Sequence, residues 1–230
     1  MVPTLRGRKG FKMRHFLVDD IHKAISGKKH IIWDWNGTLL NDVDHAVNIM
    51  NSILSEHCLN SIDKKRYRQI FDFPVIKYYE QLGFDFNKES FESLCHKFVD
   101  RFMAGVQNLP LIPEVKSVLT QLHDEGVFQS VLSATDQPNL DSMIKHFELD
   151  SIFKYVYGIN NKFAGSKIER AHELIKVSMI DKAHTIIIGD TLHDLEVADA
   201  LGIDAVLISH GHQCYTRLKP KHNNVIEVPV

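Results

Sequence analysis

The sequence contains few cysteines, and their spacing does not suggest a disulfide or a metal site. Cys58, Cys95 and Cys214 lie far apart, and no CxxC pattern occurs among the 230 residues. Zinc ribbons need closely spaced cysteine pairs and small secreted folds need several disulfides, so both classes are excluded. The simplest interpretation is a protein of a reducing compartment, and we expect a cytoplasmic location.

Long apolar runs and an excess of positive charge are also missing. No stretch reaches the roughly 18 apolar residues that a membrane span requires, and residues 1–16 lack the apolar core of a signal peptide. The formal net charge is −2, so the broad basic field typical of nucleic-acid binding is absent. We therefore expect no membrane or nucleic-acid partner, and we expect a small-molecule ligand.

The sequence does contain an alternation of strand and helix patterns. Apolar runs predict five strands, at 30–34, 127–133, 152–159, 185–190 and 205–209. Helical periodicity predicts the intervening helices, at 113–125, 137–147, 166–176 and 193–200. Strands that alternate with helices form a parallel sheet covered on both faces. We therefore predict an α/β fold with a three-layer, doubly wound parallel sheet and a Rossmann-type core.

Two segments fall outside this alternation. The pattern of residues 1–29 predicts a basic N-terminal tail followed by a short amphipathic helix. Residues 42–108 have apolar positions at helical spacing and show no strand pattern. We predict an inserted helical cap over 42–108 and an α/β core formed by 30–41 and 109–230. A cap inserted there would lie above the strand ends like a lid.

Four polar motifs follow one another in chain order. They are Asp34 in DWNGTL, Ser133 in VLSAT, Lys167 in AGSKIERA, and Asp190 with Asp194 in GDTLHD. Most of them stand at the carboxyl ends of predicted parallel strands, where open α/β sheets bind their ligands. Taken alone, each has a plainer explanation, such as a turn at Asn36 and Gly37 or a helix cap at Asp190. Their joint placement indicates a functional site.

In this order the motifs resemble the haloacid dehalogenase superfamily, in particular phosphoglycolate phosphatase-like members that carry a helical cap. The resemblance covers roughly residues 30–210. It implies a Mg²⁺-dependent phosphatase that hydrolyses a small phosphorylated metabolite through an aspartyl-phosphate intermediate on Asp34. We expect such a protein to be a monomer or a homodimer.

The resemblance also implies roles for individual residues. The implied catalytic residues are Asp34, Asn36, Ser133 and Lys167. The implied substrate-binding residues are Gly37, Thr38, Ser133, Ala134 and Lys167. The implied Mg²⁺ ligands are Asp34, Asp190, Asp194 and, through its backbone carbonyl, Asn36. This set suits the chemistry, because a carboxylate nucleophile divides a slow hydrolysis into two steps and cations offset the charge of two anionic reactants.

Asn36 departs from the family pattern, which usually has an aspartate there as general acid and base. An amide cannot transfer a proton, and such catalysis is typically worth about 10²- to 10⁴-fold in rate. One alternative is therefore a catalytically attenuated phospho-ligand-binding or regulatory protein. Less favoured alternatives are a phosphonatase, which needs a cap lysine, and a dehalogenase, which needs no metal.

Three histidines and a tryptophan near the motifs are weaker candidates. His193 follows the last motif directly, and His210 and His212 follow a predicted strand. Each of them could line the site, although a polar loop explains the histidine pair more simply. We expect Trp35 to shape the mouth of the substrate pocket.

Overall fold

The computed structural model describes residues 16–160, 167–179 and 181–228. The predicted basic tail falls within residues 1–15 and lies outside the described residues. In the described ranges, no helix has both the length and the hydrophobicity that crossing a membrane would need.

Six parallel strands form a single sheet. They are β1 His30–Trp33, β2 Phe128–Asp136, β3 Tyr155–Ile159, β4 Thr185–Gly189, β5 Asp204–Ile208 and β6 Val225–Ile226. The strand order is β3-β2-β1-β4-β5-β6, and every neighbouring pair is parallel. All residues of β1 and β4 are buried, which is why these strands are continuous apolar runs.

Ten α-helices connect and cover these strands within the described residues. They are α1 Phe16–Ala24, α2 Val43–Glu56, α3 Lys64–Ile70, α4 Val75–Leu82, α5 Phe91–Gly105, α6 Val115–Asp124, α7 Gln137–His146, α8 Ile168–Ser178, α9 Leu192–Leu201 and α10 Tyr215–Leu218. Short 3₁₀ helices occupy Val106–Asn108 and Lys182–His184.

The two faces of the sheet pack against different helices. Ile31 and Trp33 of β1 belong to a large apolar cluster with residues of α1, α6 and α7. Ile32 points to the opposite side and belongs to a smaller cluster with residues of α8 and α9. This alternation along β1 follows from the two-residue period of a strand. The predicted doubly wound, three-layer α/β core is confirmed.

Two predicted strands, β2 and β3, have a boundary that differs by three residues from the structure, and one strand was missed. β2 continues to Asp136, so Ser133 lies within the strand and not at its end. The pairing of β2 with β3 shifts register between Leu132 and Asp136. Because the strand is irregular there, its last residues do not show the apolar pattern of a strand in the sequence. β3 begins at Tyr155, later than predicted, and β6 was missed because two residues are too few to show a period.

The segment between β1 and β2 is helical. Residues 43–108, all of which are described, contain α2 to α5 and a 3₁₀ helix and no strand. Apolar residues of these helices belong to the same continuous cluster as Ile31 and Trp33 of the sheet. The helical segment thus packs directly on the core, and its treatment as a separate cap with boundaries at 42 and 108 stays a prediction.

Candidate active site

Asp34 lies at the middle of the carboxyl edge of the sheet. It follows β1, which is flanked by β2 and β4. The Asp34 backbone N–H donates to the carbonyl of Ile188 at 2.8 Å, so the strand pairing continues through this residue and fixes its position. Its side chain is directed into a largely buried site, with the residue only 7% exposed. A carboxylate in this position needs a cationic partner.

Lys167 supplies that cationic partner. It directly precedes α8, and its ammonium donates to Asp34 Oδ1 at 2.5 Å, to Asp194 Oδ1 at 2.6 Å and to the Leu132 carbonyl at 3.1 Å. Lys167 is only 2% exposed. Burial alone would lower the pKa of Lys167, but the carboxylates of Asp194 and Asp34 raise this pKa overall. The ammonium therefore stays charged at physiological pH.

Asp34, Asp190 and Asp194 form a buried carboxylate cluster, in which one oxygen of each residue lies within 4.8 Å of the others. Burial raises the pKa of Asp34 well above its usual range, with Lys167 opposing the shift and Asp194 and Asp190 adding to it. Burial likewise raises the pKa of Asp190 to about 6. The pKa of Asp194 is lowered, because Lys167 outweighs the effect of burial. Lys167 bonds only two of the three carboxylates, so it cannot neutralise the cluster by itself. Three clustered carboxylates offer the hard oxygen ligands that a divalent cation prefers.

Hydrogen bonds from neighbouring loops hold the two aspartates of the last motif. Asp190 accepts from the Thr38 hydroxyl at 2.9 Å and from the His212 backbone N–H at 2.5 Å. Asp194 Oδ2 accepts from the Thr191 hydroxyl at 2.8 Å and from the Thr191 N–H at 3.1 Å. Asp194 therefore forms a capping box with Thr191 at the start of α9 and also contacts Lys167.

The glycine of the first motif allows two loops to meet around Asp190. Gly37 has φ +73°, a left-handed conformation that glycine adopts without steric cost. A Cβ at this position would lie 2.5 Å from both Asp190 Oδ2 and His212 Cδ2. Any larger residue at position 37 would push the loop that follows Asp34 away from Asp190.

Both ends of the Asn36 side-chain amide are occupied. Its Nδ2 donates to Asp42 Oδ2 at 2.8 Å, and its Oδ1 accepts from the Thr135 hydroxyl at 2.7 Å. These partners define the orientation of the amide, since a donor faces a carboxylate and an acceptor faces a hydroxyl. The side chain of Asn36 is thus held beside the carboxylate cluster and contributes no charge to it. A metal contact through its backbone carbonyl stays a prediction.

The remaining predicted substrate-binding residues also lie at this edge. Ser133 is buried on β2, and its Oγ accepts from the Thr135 N–H at 3.1 Å, which leaves the hydroxyl hydrogen available to a ligand. Ser133 and Ala134 line a cavity of about 160 Å³ together with Asp34 and Lys167. Thr38 is engaged with Asp190 and is not among the cavity residues.

Asp42 was not recognised from the sequence. It stands at the N-cap position of α2, where an aspartate ordinarily accepts hydrogen bonds from the helix, but its side chain makes no capping bond. Its carboxylate instead accepts from the Gly37 N–H at 2.7 Å and from Asn36, and it is almost completely buried. The helix-cap pattern concealed this role in the sequence.

The three histidines have different environments. His212 Nε2 lies 3.3 Å from Asp42, and its Nδ1 lies 2.7 Å from the Tyr67 hydroxyl. Burial would lower the pKa of His212, but Asp42 and the nearby cluster raise it to about 9, so this ring is an imidazolium. Burial lowers the pKa of His193, whose Nε2 accepts from the Lys167 N–H at 3.3 Å. Burial lowers the pKa of His210 to about 4, and this residue is not among those that line the cavity.

The expectation for Trp35 was wrong. Its side chain is fully buried, and its indole N–H points to the Met143 sulfur at 3.4 Å in the apolar core. The cavity is lined instead by aromatic residues of the segment 43–108, among them Tyr67, Phe73 and Tyr78. Periodicity assigned these residues to the interior of helices and could not show that they enclose a cavity.

Comparison with known proteins identifies the family to which this chain belongs. The family model for haloacid dehalogenase-like hydrolases matches residues 31–208. The phosphoglycolate phosphatase of Synechococcus elongatus is 23% identical over 181 residues, covering 79% of this chain and 84% of the relative. A tyrosine-protein kinase of Mycobacterium tuberculosis, PtkA, is 25% identical over 189 residues, covering 79% of this chain but only 62% of the relative.

The fold is similar to those of many solved structures. A haloacid dehalogenase-like hydrolase from Streptococcus pneumoniae superposes with a TM-score of 0.75 at 21% sequence identity. The match covers 89% of this chain and 95% of that protein. At this identity the similarity establishes the fold.

Proposed function

The chain belongs to the haloacid dehalogenase-like hydrolases, and from this premise we propose a Mg²⁺-dependent phosphatase that hydrolyses a small phosphorylated metabolite through an aspartyl-phosphate on Asp34. The observation that carries the proposal is the contact of the Lys167 ammonium with Asp34 Oδ1 at 2.5 Å, beside two further buried carboxylates. A structural ion pair between Lys167 and Asp34 would not require further buried carboxylates beside it. A site that accepts both a cation and a phosphoryl group accounts for them.

The chain's own residues suit the two steps of the reaction. Asp34 attacks the phosphorus, the bond from phosphorus to the ester oxygen breaks, and the departing alkoxide takes a proton from water. Water then attacks the phosphorus of the aspartyl-phosphate, which releases inorganic phosphate and restores the Asp34 carboxylate. Lys167 and the Ser133 hydroxyl are placed to stabilise the charge that develops on the phosphoryl oxygens.

The donor set fits a hard cation. Asp34, Asp190 and Asp194 would hold Mg²⁺, with the Asn36 carbonyl as a further ligand. The bound cation would polarise the phosphoryl group and offset the negative charge of the two reactants. Burial raises the pKa of both Asp34 and Asp190, and a bound cation would favour their ionised forms.

Measurement of the covalent intermediate tests the proposal. Phosphate release from a panel of phosphorylated metabolites should require Mg²⁺ and stop in EDTA. Rapid acid quench and mass spectrometry should find a phosphoryl group on Asp34, and Asp34→Asn should abolish both signals. Asp150→Asn, at an exposed position away from the cavity, is the matched control and should behave as wild type. Activity that survives in Asp34→Asn would refute the aspartate-nucleophile mechanism.

A second candidate function rests on Asn36. Because its amide is held by Asp42 and Thr135 and cannot transfer a proton, the chain could bind a phosphorylated ligand with little turnover. Tight binding of phosphate esters by wild type, with no phosphorylated Asp34 from any ester, would favour this regulatory alternative. The kinase activity named for one relative is not carried over, because this chain spans only 62% of that protein.

The setting of the enzyme is also part of the proposal. All three cysteines are free, which supports a reducing compartment such as the cytoplasm. The net charge of −2 supports a small phosphorylated ligand over a nucleic acid. We expect a monomer or a homodimer, which light scattering coupled to size-exclusion chromatography would distinguish.

A further inference from the structure

The cavity has two chemically different walls: a roof formed by residues 43–108 and a floor formed by the core loops that carry Asp34 and Lys167. Residues 43–108, which the structure describes throughout, contribute only aliphatic, thioether, thiol and aromatic side chains to the cavity wall. Among them are Met50, Phe71, Val75, Phe98 and Phe102. None of the lining residues from this segment carries a charge. The ionised lining groups come from the loops of the core, beginning with Asp34 and Lys167.

This division orients a phosphate ester in the cavity. The phosphoryl group must lie on the floor, where Asp34, Lys167 and Ser133 meet. The organic part then extends into the roof. A charged group there would lose its hydration without gaining a partner from the helical segment, which is strongly unfavourable. An apolar group would be stabilised in proportion to the area that it buries.

We propose that the preferred ligand is a phosphate monoester of a compact, uncharged and largely apolar alcohol, whose organic part contacts the apolar side chains of residues 43–108, among them Phe71, Phe73 and Phe98. This inference rests on the proposed function and deepens it. It differs from the activity named for its cyanobacterial relative, because phosphoglycolate carries a carboxylate in its organic part.

Matched esters of alcohols test the inference. Benzyl phosphate, 2-phenylethyl phosphate and 3-(hydroxymethyl)benzyl phosphate would be compared with phosphoglycolate and a hexose 6-phosphate at saturating Mg²⁺. All of these are alcohol esters, so the comparison avoids the intrinsic reactivity of aryl phosphates. We expect kcat/KM to be at least about tenfold higher for the benzyl esters. A preference for phosphoglycolate or the sugar phosphate would overturn the inference while leaving the phosphatase assignment intact.

A binding measurement tests the proposed ligand class independently of the proposed phosphatase activity. Benzylphosphonate and phosphonoacetate cannot be hydrolysed, so calorimetry with the Mg²⁺-loaded protein compares their affinities without turnover. Tighter binding of benzylphosphonate with no hydrolysis of any ester would support the ligand class and refute the phosphatase. Equal or tighter binding of phosphonoacetate would refute the ligand class.

Discussion

Introducing an aspartate at position 36 should not by itself provide general acid and base catalysis. The Asn36 amide nitrogen lies 2.8 Å from Asp42 Oδ2, so Asn36→Asp would place two carboxylates at hydrogen-bond distance. At that separation two negative charges repel by about 6 kcal/mol for an effective dielectric constant of ~20. The pair would therefore share one proton, as closely spaced carboxylates do.

That repulsion is as large as the catalytic gain. General acid and base catalysis worth about 10²- to 10⁴-fold corresponds to about 2.7–5.4 kcal/mol. If the carboxylate pair at positions 36 and 42 donated its shared proton to the leaving group, two negative charges would remain in contact. Their repulsion would cancel the rate gain from general acid catalysis. The double variant Asn36→Asp with Asp42→Asn avoids this, because the new amide at position 42 can donate to the carboxylate at position 36. Its oxygen can still accept from the Gly37 N–H, which bonds Asp42 Oδ1 at 2.7 Å in the wild type.

We therefore expect the double variant to turn over benzyl phosphate about 10²- to 10⁴-fold faster than wild type and the Asn36→Asp single variant to gain much less. The measurement is kcat by phosphate release, with Asp42→Asn alone as the matched control. The gain should shrink with 4-nitrophenyl phosphate, whose leaving group needs no proton. A single variant as fast as the double variant would refute the repulsion argument, and no gain in a folded double variant would show that another group already transfers the proton.

Two further predictions concern the carboxylate cluster and His212. Asp190→Asn should weaken Mg²⁺ binding at least about tenfold in calorimetry, because it removes one of three clustered carboxylates, and unchanged binding would exclude Asp190 as a ligand. In metal-free protein, the free energy of unfolding in urea should be greatest below pH 6.5 and fall by about 3 kcal/mol as the pH rises through 9, because folding raises the pKa of His212 from 6.5 to about 9. His212→Asn should flatten this dependence, and an unchanged slope would assign it to other groups.

The architecture and the principal charged residues could be predicted from the sequence. Strands at the centre of a parallel sheet are buried on both faces, so β1 and β4 are apolar runs that stand out locally. Because the carboxyl ends of parallel strands share one edge, predicting the sheet was enough to expect Asp34 near Asp190. The structure places them within one carboxylate cluster.

Other features depended on side chains that are far apart in the sequence. Asp42 looks like a helix cap, and only the folded loop shows it bound to Asn36 and facing an imidazolium from position 212. The aromatic residues of α3 to α5 have the spacing of ordinary core positions, and periodicity cannot distinguish a side chain that fills the core from one that borders a cavity. The sequence by itself determined the fold and the strand-end position of Asp34, because strand period and strand-end chemistry are local. The tertiary structure decided the orientation of the Asn36 amide, because its partners Asp42 and Thr135 come from different elements. It also decided the apolar roof, because residues 43–108 there pack on loops more than one hundred residues away, as the contact of Tyr67 with His212 shows.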